Sequence, residues 1–225
     1  SLEKLALLKP DLILSEDWLA GDNYSLLSQI APTMLFSDEK NGLQHWRNNI
    51  EGVAKALGRE EAVEDVKAEY LRQLEAARQS LAPVVEALPK ILILSVNSAM
   101  TDVAIAADST IGYLLEEIGF QLVFPEPTIA GEPRWLQTSP EILPTLDADM
   151  AIVISWDASE LYNPEAQLRE KWSQTPVLRE IPAAKANRIF FVDYQLWGSI
   201  TRGPITDELI LKKLPEMLLP LLAKS

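Results

Sequence analysis

Beyond three of the segments that read as buried strands stand aromatic side chains: Trp18 after Ser15, Trp156 with Tyr162 after Ser155, and Tyr194 with Trp197 after Asp193. In an open α/β sheet, ligands sit past the carboxyl ends of the strands, so these rings are placed to offer flat apolar faces to a small molecule. The residues that bond-making chemistry needs are scarce. One histidine, His45, and no cysteine rule out thiolate nucleophiles, disulfides and cysteine-held zinc or iron–sulfur sites, and leave carboxylates as the main general bases. No phosphate-cradling glycine loop, no Gly-x-Ser-x-Gly elbow and no His-based triad occurs. Asp102 with Asp108 and Asp147 with Asp149 are carboxylate pairs, but such pairs usually mark caps and solvated turns. The pattern points to binding without turnover, and a carboxylate-based α/β enzyme is the minority reading.

The composition narrows the partners. The 225 residues include 33 acidic and 20 basic side chains, for a formal charge of −13 and a pI near 4.6. Such a chain repels a polyanion, and no compensating cluster of Lys and Arg appears, so nucleic acid and anionic membrane surfaces are disfavoured. Evenly scattered apolar residues, 48% of the chain, exclude a disordered polypeptide. The apolar run from Met217 to Ala223 is short and contains Pro220, well below the roughly 20 residues that a spanning helix needs. The chain therefore reads as soluble, and it begins without Met or a charged-then-apolar signal.

The elements that must position the aromatics alternate between helical and strand patterns. Leu2, Leu5 and Leu8 predict a short helix stopped at Lys9-Pro10, followed by a buried strand over Asp11–Ser15. A short helix at Tyr24–Ile30, a strand at Thr33–Phe36 and an amphipathic helix from Leu43 to Leu57, closed by Gly58, come next. From Arg59 to about Leu88 there is no glycine and one proline, Pro83, in a stretch dense in Ala, Glu and Leu, which predicts one long helix. Strands are predicted at Lys90–Val96, Gln121–Phe124, Asp149–Ser155 and Arg188–Asp193. Helices are predicted at Asp108–Gly119, from Ser139, around Glu165–Trp172, and over Thr206–Leu222, the last broken by Pro215 and Pro220. A proline-rich loop is expected from Pro125 to Thr138.

The segment opening at Ser139 echoes the one opening at Ser1, with Ser, Glu, two Leu and Asp at matching places before a buried strand. In each copy Ser is placed to cap a short helix and Glu lies in its first turn, near the positive end of the helix dipole. Together these signals predict an α/β architecture of two lobes with largely parallel sheets. An N-terminal lobe is expected at 1–58, a connecting long helix at 59–88 and a C-terminal lobe at 89–225, with a ligand cleft between the lobes.

Several runs carry a family likeness: Ser1-Leu-Glu-Lys-Leu-Ala-Leu-Leu-Lys-Pro-Asp-Leu-Ile-Leu, Ile30-Ala-Pro-Thr, Trp46, Ala56-Leu-Gly58, Arg134-Trp135 before Ser139-Pro-Glu141, and Ala186-Asn-Arg-Ile-Phe-Phe-Val-Asp193 with Trp197 beyond. In order and spacing the chain resembles the ferric-siderophore substrate-binding proteins of ABC importers, the helical-backbone periplasmic binding proteins of the ferrichrome and ferric dicitrate type. Members normally start with a further strand-and-helix portion of the first lobe, where a ligand-contacting basic residue often lies.

What the resemblance implies is capture of a ferric siderophore, of hydroxamate or citrate type, outside the cytoplasmic membrane. Delivery to an ABC permease follows, by a monomeric protein that is periplasmic or lipid-anchored through an upstream segment. The iron would be held by the siderophore, with no protein–metal bond and no cofactor. Trp135 matches the position at which hydroxamate-binding relatives set a tryptophan against the ligand. Tyr194 and Trp197 fall in a loop that relatives use to line the cleft, and Trp18 and Tyr24 in a first-lobe loop where relatives present an aromatic. Arg134 and Arg202 would offer planar donor forks to ligand oxygens, and Trp156 joins the aromatic wall. Docking to permease arginines would fall to Asp22 in the first lobe and to Glu160 or Glu165 in the second. Trp46, on a helix face with Val53 and Leu57, and Trp172 read as core packing. A single histidine disfavours the zinc and manganese binders of the wider superfamily. A haem or cobalamin carrier on the same scaffold is the alternative; its axial ligand would come from Tyr162, Tyr194, Met100 or His45, and no spacing selects one.

Overall fold

A computed structural model describes residues 1–36, 45–129, 132–157, 164–198 and 203–224. The chain forms two compact units, Ser1–Gly58 and Arg59–Ser225.

The first unit is small. Helix α1 (Leu2–Leu8) starts where the Ser1 hydroxyl accepts the Lys4 N–H at 3.4 Å, and it ends at Lys9 in the left-handed region. Strand β1 (Ile13–Glu16), helix α2 (Asp17–Ala20), a 3-10 turn at Gly21–Asn23, helix α3 (Tyr24–Ile30), strand β2 (Thr33–Phe36) and helix α4 (His45–Leu57) follow. β1 and β2 pair in parallel, with Ile13 opposite Thr33 and Glu16 opposite Phe36. Among the described residues Ile13, Ala20, Leu27 and Ala31 form a buried cluster, Ala54 is buried as well, and Leu7, Leu8, Leu14 and Leu19 are exposed.

The second unit begins with a 3-10 turn at Glu60–Ala62 and the long helix α5 (Val63–Ala87). Tyr70, Leu74, Ala77, Leu81 and Val84 recur at three- and four-residue spacing and are all buried, so α5 is part of this unit's own core. The sequence sets residues 59–88 apart as a connector; the structure groups them with the sheet that follows.

That sheet is built from β3 (Lys90–Val96), β4 (Val103–Ala106), β5 (Gln121–Leu122), β6 (Trp135–Thr138), β7 (Met150–Ser155) and β8 (Ile189–Val192), in the order β6-β4-β3-β7-β8 with β5 beside the start of β3. β3, β5, β7 and β8 are mutually parallel where they pair, and β4 runs antiparallel to both β3 and β6. The fold is thus α/β with a largely parallel sheet and an antiparallel flank. β3 and β7 read as unbroken apolar runs because both of their faces are covered. Leu92, Leu94, Val96, Ala151 and Val153 pack with Leu143, Leu168, Trp172, Leu178 and Phe191, and Ile91, Ile93, Ile152 and Ile154 face the other way, equally buried.

Helix α6 (Thr110–Ile118) is capped by the Ser109 hydroxyl, which accepts the Gly112 N–H at 3.2 Å, and ends at Gly119. α7 (Pro164–Gln174), α8 (Pro176–Arg179) and α9 (Pro182–Lys185) lie between β7 and β8; α10 (Tyr194–Trp197) and α11 (Pro204–Leu218) follow β8. Three expectations change. β4 and β6 were not predicted, and β6 occupies the end of the expected proline-rich loop. The segment from Ser139 is a 3-10 turn, Pro140–Thr145, in which the Ser139 hydroxyl accepts no backbone N–H as a cap, unlike Ser1 at α1. Pro215 does not break α11, whose buried stripe of Ile210, Leu211, Leu214 and Leu218 runs past it against α5. That packing offsets the single backbone bond that the proline forfeits.

Candidate ligand-binding site

The parallel strands β3 and β7 end level with one another, Val96 opposite Ser155, and β8 ends level with Ile154. At this carboxyl edge the Trp156 N–H donates to the Val96 carbonyl at 3.1 Å, and the Trp156 side chain is 48% exposed. Asp157 then ties the end of β7 to the hairpin after β3. It accepts the Ser98 N–H at 2.5 Å, the Ser98 hydroxyl at 3.0 Å and the Ser155 hydroxyl at 3.0 Å.

The hairpin is fixed internally as well. The Asn97 side-chain oxygen accepts the N–H groups of Thr101 and Asp102 at 2.9 and 3.1 Å, and its amide donates to the Thr101 hydroxyl at 2.8 Å. Met100, inside this turn, has φ 58° and is buried, so it presents no thioether to solvent. These bonds fix the backbone that carries an exposed indole beside a row of small polar groups, which lowers the ordering cost of binding a ligand there.

The neighbouring loop after β8 is a helical turn rather than open chain. Asp193 caps α10 by accepting the Leu196 N–H at 2.8 Å. The turn swings Trp197 inward, where it is 2% exposed, so the expected ligand-facing ring is instead buried. Tyr194 stays half-buried and lies across Gly198: a Cβ at Gly198 would come within 2.5 Å of the Tyr194 ring and 2.6 Å of Ile154. Glycine is required there to let the ring pack beside β7.

Trp135 opens β6, opposite Ala106 of β4, and is 49% exposed. Arg134, just before it, does not offer a free fork. Its backbone N–H donates to Asp108 at 2.7 Å, its Nε to the other oxygen of Asp108 at 2.8 Å, and its two terminal nitrogens to the two oxygens of Glu116 at 2.9 and 3.1 Å. Hydrogen bonding by the Glu116 carboxylate holds the guanidinium pKa above its ordinary value; burial opposes this, and Asp108 adds to it. The register sets Trp135 level with Ile93, three residues short of the carboxyl edge, and three strands from Trp156. At about 4.8 Å per strand and 3.3 Å per residue, with Trp156 one residue past that edge, the two rings start roughly 20 Å apart, so the sheet does not gather them into one patch.

Tyr24 and Asp22 of the first unit are exposed, as is Glu165 in the first turn of α7. Trp172 is buried edge-to-face on Phe191, with centroids 5.5 Å apart. Arg202, Glu160 and Tyr162 lie outside the described residues, as do the side chains of Trp18, His45 and Trp46. Asn97, Ser98 and Asp157 were missed by sequence reasoning, although a post-strand Asn-Ser and a post-strand Trp-Asp were signals at hand. Among the described residues no group of three or more His, Cys, Asp or Glu could hold a metal ion, and no helix is long and apolar enough to cross a membrane.

Residues 1–196 match the Periplasmic binding protein family, and the chain belongs to that family. Among curated relatives it is similar to the ferric-anguibactin-binding protein FatB of Vibrio anguillarum, at 25% identity over 92% of this chain and 63% of that protein. Among solved structures it is similar to the siderophore-binding protein FhuD of Vibrio cholerae bound to Fe3+-Desferal, with TM-score 0.75, 24% identity, and coverage of 98% of this chain and 79% of that one. An ABC transporter substrate-binding protein of Listeria monocytogenes matches with TM-score 0.76 at 18% identity, covering 97% and 80%. These structures establish the fold. The chain spans about three fifths of the length of the curated relatives it matches.

Proposed function

We propose that this protein binds a ferric siderophore outside the cytoplasmic membrane and passes it to the permease of an ABC importer. The observation that carries the reading is Trp156, half in solvent at the carboxyl edge of a parallel sheet, next to Asp157, whose bonds to Ser98 and Ser155 anchor the turn. Membership of a binding-protein family and a relative named for a ferric siderophore support it. The ferric ion enters as cargo, bonded to the siderophore's oxygens. The protein touches the organic shell through the Trp156 and Tyr194 faces and the hydroxyl of Ser98, with Trp135 as a separate aromatic contact. No covalent step is involved, and the protein is not an enzyme. Asp22 and Glu165 are the acidic residues proposed to meet permease cations, since both are exposed.

Intrinsic tryptophan fluorescence tests the reading. Titration with ferric hydroxamate and ferric citrate complexes should give saturable quenching, and Trp156→Ala should weaken binding by about tenfold or more, the loss typical of an aromatic anchor. No saturable quenching with any ferric complex, alongside tight binding of haem or cobalamin, would replace the cargo with one of those. Asp22→Ala and Glu165→Ala should lower transport and leave siderophore affinity alone.

A further inference from the structure

We propose that Arg134 is a positioning residue, which fixes the direction of Trp135 by clamping the start of β6 to α6, and that it does not touch the ligand. The inference rests on the siderophore reading for the role of Trp135, while the clamp itself is independent of any ligand.

The geometry has three parts. The backbone at 134 is held on both sides by one residue: its N–H donates to the Asp108 carboxylate at 2.7 Å, and its carbonyl accepts the Asp108 N–H at 3.1 Å. The guanidinium is then met from two directions, by Asp108 at the entry to α6 and by Glu116 two turns further along it. The fork-to-fork pair with Glu116 is the most directional ion pair available to an arginine. All three side chains are a third exposed or less, so the pairs are screened less than surface ones.

The third part is position. Among the described residues β6 is an edge strand of four residues paired with β4, and the segment before it carries Pro125, Pro127 and Pro133. Nothing in that segment is regular secondary structure among the described residues. A half-exposed indole on the first residue of such a strand would otherwise sample several directions. Clamping the preceding residue at backbone and side chain removes that freedom before a ligand arrives. With two carboxylates against one guanidinium the trio is net negative, so it does not attract an anionic complex. The role expected of a basic residue here, pairing with ligand oxygens, is taken by protein carboxylates.

The test uses the full chain labelled with 5-fluorotryptophan, with the Trp135 fluorine resonance assigned by its loss in Trp135→Phe. Without ligand, Arg134→Gln and Glu116→Gln should both move the Trp135 resonance toward the value of free tryptophan and narrow it, leaving the Trp156 resonance in place. An unmoved Trp135 resonance in both variants overturns the clamp, whatever the protein binds. The second readout is affinity for a ferric trihydroxamate, whose anionic groups neutralise the metal, and for a ferric triscatecholate, which stays anionic. Positioning predicts that Arg134→Gln weakens whichever complexes bind by a similar factor, about tenfold, and that Glu116→Gln weakens them too. A loss confined to the anionic complex in Arg134→Gln, or tighter anionic binding in Glu116→Gln, would show that Arg134 meets the ligand directly. If the unaltered protein binds neither complex, the siderophore reading fails and the fluorine result alone decides the clamp.

Discussion

The two units solve the burial problem to different degrees. In the second, a six-stranded sheet is covered on both faces, and Leu92, Leu94, Ile105, Leu114 and Leu115 are fully enclosed. Among the described residues of the first, a two-stranded sheet is backed by a buried cluster of Ile13, Ala20, Leu27 and Ala31, and Leu7 and Leu8 stand largely in solvent. A two-stranded sheet has little stability of its own, because each strand keeps an open edge and too little apolar area leaves water. On the described residues, local opening is expected to be easier in the first unit than in the second.

Substitutions can break or sharpen this contrast. The largest effect is expected from Gly112→Ala in the first turn of α6, because the new Cβ would sit 1.9 Å from the Ala107 carbonyl oxygen. Backbone must move to admit it, and loss of the second unit's cooperative denaturant transition is the expected outcome; an unchanged midpoint would mean that α6 yields freely. Leu94→Ala should cost about 3–5 kcal/mol, as large-to-small changes at fully enclosed leucines do. Leu27→Ala, in the described cluster of the first unit, should cost about 2 kcal/mol, the low end of the range, because its surroundings can collapse. Equal losses from the two would erase the distinction between the units. Gly198→Ala should cost about 1–3 kcal/mol by overpacking and turn the Tyr194 ring, read as a shift in tyrosine fluorescence or in ligand affinity. Leu7→Glu is the smallest, within about 0.5 kcal/mol, since the side chain is already in water.

Much of the second unit was legible in the sequence, and the reasons are local. Lys90–Val96 and the run ending at Ser155 are unbroken apolar segments, and Ser109 and Gly119 bracket a helix in the expected way. β4 and β6 were illegible for the opposite reason. Four residues each, they have little periodicity, and each becomes a strand by pairing with a segment remote in the chain or across a hairpin. The same pairing decides the fate of Arg134, whose partners lie 18 and 26 residues upstream, so no local spacing could show that its donors are occupied. Trp197 had a signal: Asp193 directly after a strand is a good helix cap, and a helical turn there directs the fourth residue inward. Trp156 needed only the rule that strands point their carboxyl ends at ligands.

The central place of β3 also sets the order in which the protein can assemble. Its hairpin with β4 closes over a few residues, and α5 and α6 form from local contacts. Its main partner is β7, where Ile91 meets Met150, and β8 joins only through β7, with Ala151 opposite Ile189. Closing loops of that length before any parallel hydrogen bond rewards them makes folding slow, on the scale of milliseconds to seconds. A chain emerging amino end first from a ribosome or a translocation pore would thus hold its hairpin and helices ready, and the sheet would close only after residue 150 and then residue 189 had appeared.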